Sequence, residues 1–139
     1  MIKQNIFFST FFVLTVLMLL LSHLSIVDSI SMEPTLLSGD IVLCSRVADV
    51  HEIKINDVII FRSLEDDSTL LVKRVFDIIQ PSENHVMYDV RGDNKDGSCD
   101  SRNFGYVPAK KINGKVFMIL ISWDSYKKSF RSKRFFVRM

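Results

Sequence analysis

An uncharged apolar segment close to the amino terminus limits what this chain can fold into. Residues 6–26 read IFFSTFFVLTVLMLLLSHLSI and contain no Asp, Glu, Lys or Arg. As an α-helix rising about 1.5 Å per residue, this segment spans roughly 30 Å, the thickness of a bilayer's hydrocarbon core. A cleaved secretory signal is the alternative, but the run is longer than a typical apolar signal core and no small-residue cleavage site follows it cleanly. We therefore predict one uncleaved transmembrane helix.

The charges on either side of this segment predict its orientation. Lys3 precedes it, whereas Asp28 and Glu33 follow it. The positive-inside rule counts Lys and Arg and gives acidic residues little weight, so it favours a cytoplasmic amino terminus. We predict a short cytoplasmic end (1–5), a single span (6–26) in the plasma membrane, and the rest of the chain on the extracytoplasmic side.

Beyond the apolar segment, residues 27–125 alternate short apolar runs with turn residues, a pattern typical of β-strands. Candidate strands lie at 41–44, 58–61, 69–79 and 85–90. Asn113-Gly114 is a typical two-residue hairpin turn and predicts a hairpin between 110–112 and 115–121. No long segment after residue 26 has a helical period. We predict a mainly β domain, an antiparallel folded-over sheet or partly open barrel.

The basic charge of the chain is concentrated at its end. The formal net charge is +2, but residues 127–139 hold six basic side chains and no acidic one, so the rest of the chain is net acidic. This distribution does not fit a nucleic-acid-binding domain, which spreads Lys and Arg over a folded face. The tail (126–139) also carries aromatic residues, and it is either a solvated end or a contact with the membrane surface.

Two cysteines, Cys44 and Cys99, lack the spacing of a metal site, and we expect neither a metal nor another cofactor. Outside the cytoplasm the two thiols could form a disulfide. The alternative is two free, small side chains.

A serine shortly after the apolar segment is the candidate nucleophile. Pro34 fixes its own φ and disfavours helical geometry at Glu33, so the sequence predicts an extended turn that presents Ser31. A serine in a turn is often only a turn former. A serine nucleophile needs a base, and none of the three histidines lies in a context that suggests a Ser-His-Asp triad.

The predicted strand at 69–79 offers a lysine as that base. Side chains alternate between the two faces of a strand, so Lys73 shares a face with Leu71 and Val75, and Arg74 points the other way. Burial lowers the pKa of a lysine, whereas arginine cannot deprotonate. Lys73 is therefore the candidate base and Arg74 a structural pairing residue. The alternative is a lysine whose amine reaches water past its apolar neighbours.

Four sequence blocks occur in the order found in one protease family. They are Ser-Met-x-Pro-Thr-Leu (31–36), Gly-Asp-Ile-Val (39–42), Lys-Arg-Val (73–75) and the polar run 92–102. Over about residues 27–125 the chain resembles the type I signal peptidases, membrane-anchored serine proteases with a Ser/Lys dyad. The resemblance implies a similar β fold, with Ser31 as nucleophile and Lys73 as general base. Only 16 residues separate Val75 from Gly92, where larger members carry an additional domain, so the chain resembles a minimal catalytic core. It also has one predicted span rather than two.

The resemblance also assigns supporting residues. The Ser31 N–H and the Ser29 hydroxyl would form the oxyanion hole, and Ser98 would hydrogen-bond the Lys73 amine. On composition alone, the run 92–102 is a turn loop, and it lacks the alternating oxygens and final Glu of a calcium loop. The family resemblance instead makes it a buttress of the site. The supporting residues are Asp93, Asp100, Arg102 and Arg74. Two departures from the family pattern are Cys99 in place of a small residue and Phe76–Ile79 in place of a Gly/Pro turn.

The implied function is a membrane-anchored endopeptidase that removes signal peptides from exported preproteins through an acyl-enzyme. Its partners would be signal peptides and the lipid bilayer, without nucleic acid. One alternative is a maturation peptidase of the conjugative-transfer type with a narrow substrate. A repressor-type self-cleaving protein is disfavoured by the apolar segment and by the lack of a DNA-binding segment. A catalytically inactive, membrane-tethered binding module is disfavoured by the presence of both Ser31 and Lys73.

Overall fold

The computed structural model describes residues 11–12, 23–47, 52–82, 85–124, 129–130 and 137–138. Among these residues, no helix has the length and apolar character needed to cross a bilayer. Most of the predicted span (6–26) and most of the predicted tail (126–139) lie outside the described residues. Phe11 and Phe12 have helical backbone. The end of the predicted span differs from the prediction, because residues 24–26 form a strand. They pair with the strand that follows, and the Cys44 N–H donates to the His23 carbonyl at 2.8 Å.

The described chain is mainly β, as predicted, and its strand pairs are antiparallel. The strands are β1 (Leu24–Ile26), β2 (Asp40–Ser45), β3 (Val58–Arg62), β4 (Leu70–Ser82), β5 (His85–Arg91), β6 (Val107–Pro108), β7 (Ile112–Asp124), β8 (Ser129–Phe130) and β9 (Val137–Arg138). Their spatial order is β1-β2-β7-β3-β4-β5-β6, and β8 and β9 both pair with β7. Because β1 and β6 are the two ends of this order, the sheet is not closed into a barrel.

The four predicted strands coincide with β2 to β5, but the predicted hairpin at Asn113-Gly114 is wrong. Both residues lie inside the continuous strand β7. Gly114 lies opposite Ile60 of β3, and a Cβ atom on Gly114 would come within 2.6 Å of the Ser45 carbonyl oxygen on β2. The glycine therefore serves a close approach between strands rather than a turn. The register of β3 against β7 shifts at this point, which leaves Asn113 in a bulge.

Strand β3 divides the core into two clusters because its side chains are buried on both faces. Val58 and Ile60 join the first cluster, and Ile59 and Phe61 join the second. The remaining buried members of the first cluster are Val27, Met32, Leu36, Val42, Cys44, Val116 and Ile119. Those of the second are Ile53, Val75, Val86, Tyr88, Val90 and Val107.

The segment that carries the candidate nucleophile is fixed to the first cluster. Met32 and Leu36 are both fully buried, and the Leu36 N–H donates to the Met32 carbonyl at 2.9 Å. Residues four apart in such a turn place their side chains on one side. The segment is therefore a compact turn rather than the predicted extended one. Burial of each of these side chains stabilises the fold by about 1.5–3 kcal/mol, which holds the turn against the sheet.

Candidate active site

Ser31 and Lys73 meet below the surface, although they are 42 positions apart in the sequence. Ser31 lies in the compact turn after β1, and Lys73 lies on β4. Each residue is only 4% exposed, and Lys73 Nζ is 2.5 Å from Ser31 Oγ. A nucleophile and a base at hydrogen-bond distance are the arrangement that activates a serine hydroxyl.

The surroundings of Lys73 favour its neutral form. Strand alternation predicted apolar neighbours for this side chain, and Val75 on the same face is fully buried. Burial lowers the pKa of Lys73 below its ordinary value of 10.5, and the nearby charge of Asp100 opposes part of that effect. An uncharged amine can accept the proton of a serine hydroxyl.

Ser29 joins Ser31 and Lys73 in one chain of hydrogen bonds. The Ser29 hydroxyl donates to Ser31 Oγ at 3.1 Å. The Ser31 N–H donates to Ser29 Oγ, also at 3.1 Å. The two groups predicted to form an oxyanion hole therefore lie beside Ser31 Oγ, and Ser29 and Ser31 are hydrogen-bonded to one another.

A buried carboxylate organises the loop at 92–102. Asp100 is fully buried and caps the short helix α1 (Ser101–Phe104). It accepts two hydrogen bonds from the Arg102 guanidinium, at 2.8 and 2.7 Å, and one from the Gly92 N–H at 2.9 Å. Burial would raise the pKa of Asp100, but these hydrogen bonds and that from Ser98 hold it well below its usual range. Asp100 therefore stays ionised, and the predicted Asp100–Arg102 contact is present.

The Ser98 hydroxyl is hydrogen-bonded to the buried carboxylate. It donates to Asp100 Oδ2 at 2.9 Å. A hydroxyl that donates to a carboxylate still offers its oxygen as an acceptor. The direct contact between Ser98 and Lys73 stays a prediction.

Arg74 and Asp93 form the pair that the sequence suggested for Arg74. Two guanidinium nitrogens of Arg74 donate to the two carboxylate oxygens of Asp93, at 2.8 and 2.7 Å. A third nitrogen donates to the Asn56 carbonyl at 2.8 Å. The Arg74–Asp93 ion pair therefore joins β4 to the start of the 92–102 loop, next to Lys73.

Asn94 belongs to the 92–102 run that the resemblance makes a buttress, but the sequence analysis gave it no contact of its own. Its backbone N–H donates to the Ser31 carbonyl at 3.0 Å, and its side-chain amide donates to the Ile30 carbonyl at 3.1 Å. The 92–102 loop therefore holds the backbone of the nucleophile segment. In the sequence, Asn94 is one of several turn residues in that run, and nothing local marks its contact 64 residues away.

Gly92 packs closely against the backbone of the nucleophile segment, which leaves no room for a larger residue. We expect Gly92→Ala to distort both the loop and that segment. A Cβ atom there would lie 2.2 Å from Ser98 Oγ and 2.5 Å from the Ser31 carbonyl oxygen. Forced contacts of this kind cost about 1–3 kcal/mol. Gly92→Ala should therefore lower the melting temperature, measured by thermal unfolding, and remove most of any activity that depends on Ser31.

Gly105→Ala is the matched control. Gly105 has φ +86°, so alanine is strained there, but no atom lies within 4 Å of the added Cβ. This variant should lose stability and keep its specific activity. Wild-type activity and melting temperature in Gly92→Ala would contradict the importance of this contact.

A cleft of about 480 Å³ opens beside Ser31 and Lys73. Its walls come from the segment that includes β1 and Ser29 and from the start of β4, and Val42 and Ile60 also line it. Among the described residues, no cluster of His, Cys, Asp or Glu could hold a metal ion. Cys44 is buried and Cys99 exposed, and both are free thiols.

An open antiparallel sheet with a buried serine–lysine pair beside a cleft is the arrangement of a hydrolase site. The family described as "Signal peptidase, peptidase S26" matches residues 2–78 and 82–123. The chain belongs to this family, which confirms the resemblance to type I signal peptidases.

Curated relatives come from two groups. Mitochondrial inner membrane protease subunit 1 of Xenopus tropicalis is 29% identical over 117 residues, which cover 69% of this chain and 67% of that protein. Mitochondrial ATP-independent inner membrane protease subunit 1a of Arabidopsis thaliana is 30% identical, with 63% and 64% covered. Signal peptidase I W of Bacillus subtilis is 34% identical over 64 residues, 46% of this chain and 32% of that protein. The chain thus spans about two thirds of the mitochondrial relatives and about a third of the bacterial one.

Proposed function

We propose that this protein is a membrane-anchored serine endopeptidase that removes signal peptides from exported preproteins, with Ser31 and Lys73 as its catalytic dyad. The observation that carries the proposal is the 2.5 Å separation of Lys73 Nζ and Ser31 Oγ in a buried site. Membership of the signal peptidase family supports the same reaction.

The chemistry follows from the groups around Ser31. Neutral Lys73 takes the hydroxyl proton as Ser31 Oγ attacks the scissile carbonyl carbon. The resulting ammonium then gives that proton to the leaving amine as the peptide bond breaks and an ester to Ser31 remains. Water, deprotonated by Lys73, hydrolyses the ester and restores the Ser31 hydroxyl.

The oxyanion formed in each step needs donors. In the structure, the Ser31 N–H donates a hydrogen bond to Ser29 Oγ. The Ser29 hydroxyl donates one to Ser31 Oγ. Substrate binding would turn both donors toward the carbonyl oxygen. Donors aimed at the developing charge in a water-poor site are commonly the largest single contribution to acyl transfer.

The cleft suits an extended substrate. Within the described residues, β5 pairs with β4 only from Arg74 onward, so the edge of β4 next to the cleft is available to another strand from Leu70 to Lys73. A peptide can add to such an edge through main-chain hydrogen bonds. Its alternate side chains would face Val42 and Ile60, which fits small residues one and three positions before the scissile bond.

The membrane anchor is part of the proposal. Residues 6–26 would span the bilayer with the amino terminus in the cytoplasm, placing the catalytic domain outside. Ile26, Ile30 and Leu70 are exposed near the cleft, at 73%, 55% and 50%. Exposed apolar side chains beside the site fit a cleft that opens at the bilayer surface, where a signal peptide's apolar segment would rest.

The decisive test is cleavage of an exported preprotein by the purified full-length protein in detergent. We expect one cut, after a small residue at the signal-peptide boundary, identified by mass spectrometry. Ser31→Ala should give no product under the same conditions. Cleavage confined to one dedicated precursor would indicate the narrow maturation peptidase, and no cleavage of any precursor would contradict the proposed function.

A further inference from the structure

A second cavity of about 270 Å³ adjoins the cleft beside Ser31. Three residues, Ser25, Ile60 and Leu70, line both cavities. The two cavities are therefore neighbours, and together we call them the groove. Its reaction end is the cleft at Ser31 and Lys73, and its far end is the second cavity beyond Leu70.

The two ends of the groove differ in chemistry. The reaction end is lined by apolar Val42 and Val72, beside the ionisable side chains of Lys73 and Asp28. The far end is lined by Arg46, His23 and Asn113. Arg46 is an exposed cation at this end, and among the described residues that line the far cavity none is acidic.

The bulge in β7 puts polar groups at the far end. Asn113 is the residue left out of the β3–β7 register, between Ile112 opposite Phe61 and Gly114 opposite Ile60. A bulge redirects a side chain and leaves backbone groups outside the ladder. The Asn-Gly pair, which did not form a hairpin turn, thereby contributes an amide side chain to the groove.

The length of the groove sets which substrate residue reaches this end. A strand advances about 3.3 Å per residue, so the distance from Lys73 back to Leu70 is about 10 Å, three to four residues of an extended substrate. From Ser25 to His23 along β1 adds about two residues more. The far end therefore lies at the fifth or sixth residue before the scissile bond.

We propose that the far end of this groove is an upstream subsite that binds an acidic substrate side chain at about the fifth or sixth position before the scissile bond. Arg46 supplies the charge, and Asn113 supplies an amide donor. This inference rests on the proposed function, because that function places the residues before the scissile bond in the cleft. It adds a preference for charge to a site otherwise expected to select small side chains.

The test is a set of peptide substrates that share one cut site and carry Asp, Asn, Ala or Lys at each position from four to seven before it. We expect wild-type kcat/KM to favour Asp over Lys by about two- to fivefold at the fifth or sixth position, the strength of a partly exposed ion pair. Arg46→Glu should reverse that order. Lys110→Glu makes the same charge change at an exposed residue that lines neither cavity, and should keep the wild-type order.

The other outcomes distinguish failure of the subsite from failure of the proposed function. A wild-type order that survives in Arg46→Glu, or an Asp preference equal at all four positions, overturns the subsite and leaves the peptidase standing. Product that forms equally with Ser31→Ala, or no product from any peptide, overturns the proposed function and the subsite with it.

Discussion

Lys73→Arg should be as inactive as Lys73→Ala, even though arginine keeps the positive charge. The amine of Lys73 lies 2.5 Å from Ser31 Oγ and must lose its proton to act as a base, which a guanidinium cannot do. Loss of a nucleophile or of its base typically lowers kcat by about 10⁴- to 10⁶-fold. Single-turnover cleavage of a preprotein by Ser31→Ala, Lys73→Ala and Lys73→Arg measures this directly.

The pH dependence supplies an independent check on the same pair. Burial lowers the pKa of Lys73, so the neutral fraction, and with it the rate, should rise with pH through that lowered pKa. A histidine base would instead give a rise near its own ordinary pKa of about 6.5 and would not depend on Lys73. Substantial activity in Lys73→Arg would falsify the dyad.

Ser29→Ala should be slow but measurable. The Ser29 hydroxyl lies 3.1 Å from Ser31 Oγ, close enough to turn toward an oxyanion formed there. Removal of one such donor commonly lowers kcat by about 10²- to 10³-fold. Because the donor acts mainly in the transition state, kcat should fall while KM changes little.

Two companion variants make the Ser29 result interpretable. Ser29→Thr keeps a hydroxyl and should recover part of the lost rate. Ser68→Ala removes a hydroxyl from an exposed turn that does not line the cleft and should match the wild-type rate. If Ser29→Ala retains the full rate, or Ser29→Thr is no better than Ser29→Ala, the oxyanion role is wrong.

Local sequence patterns were sufficient to predict most strands and the apolar neighbours of Lys73. The runs that became β2 to β5 have apolar and turn residues in the order that strands require. Alternation along β4 placed Lys73 on a buried face beside Val75. These features depend on residues close to one another in the chain, so they can be recognised from local sequence patterns.

Features that depend on distant partners were not predictable in the same way. Asn113-Gly114 has the composition of a turn, but close packing against Ser45 on β2 and pairing with Ile60 on β3 keep it in a strand. Residues 24–26 suit a helix or a strand equally well by their apolar character, and pairing with β2 decides the outcome. The bond from Asn94 to the Ile30 carbonyl likewise joins segments that no local period connects.

The burial that lowers the pKa of Lys73 also links the stability of the fold to proton binding. In the unfolded chain this amine titrates near the ordinary value of 10.5, and in the folded protein its pKa is lower. Between the two values the unfolded chain binds more protons, so the free energy of unfolding contributed by this residue rises with pH across that window. At neutral pH the folded sheet therefore carries a penalty that an apolar side chain at position 73 would not impose, and that penalty shrinks as the solution becomes more alkaline.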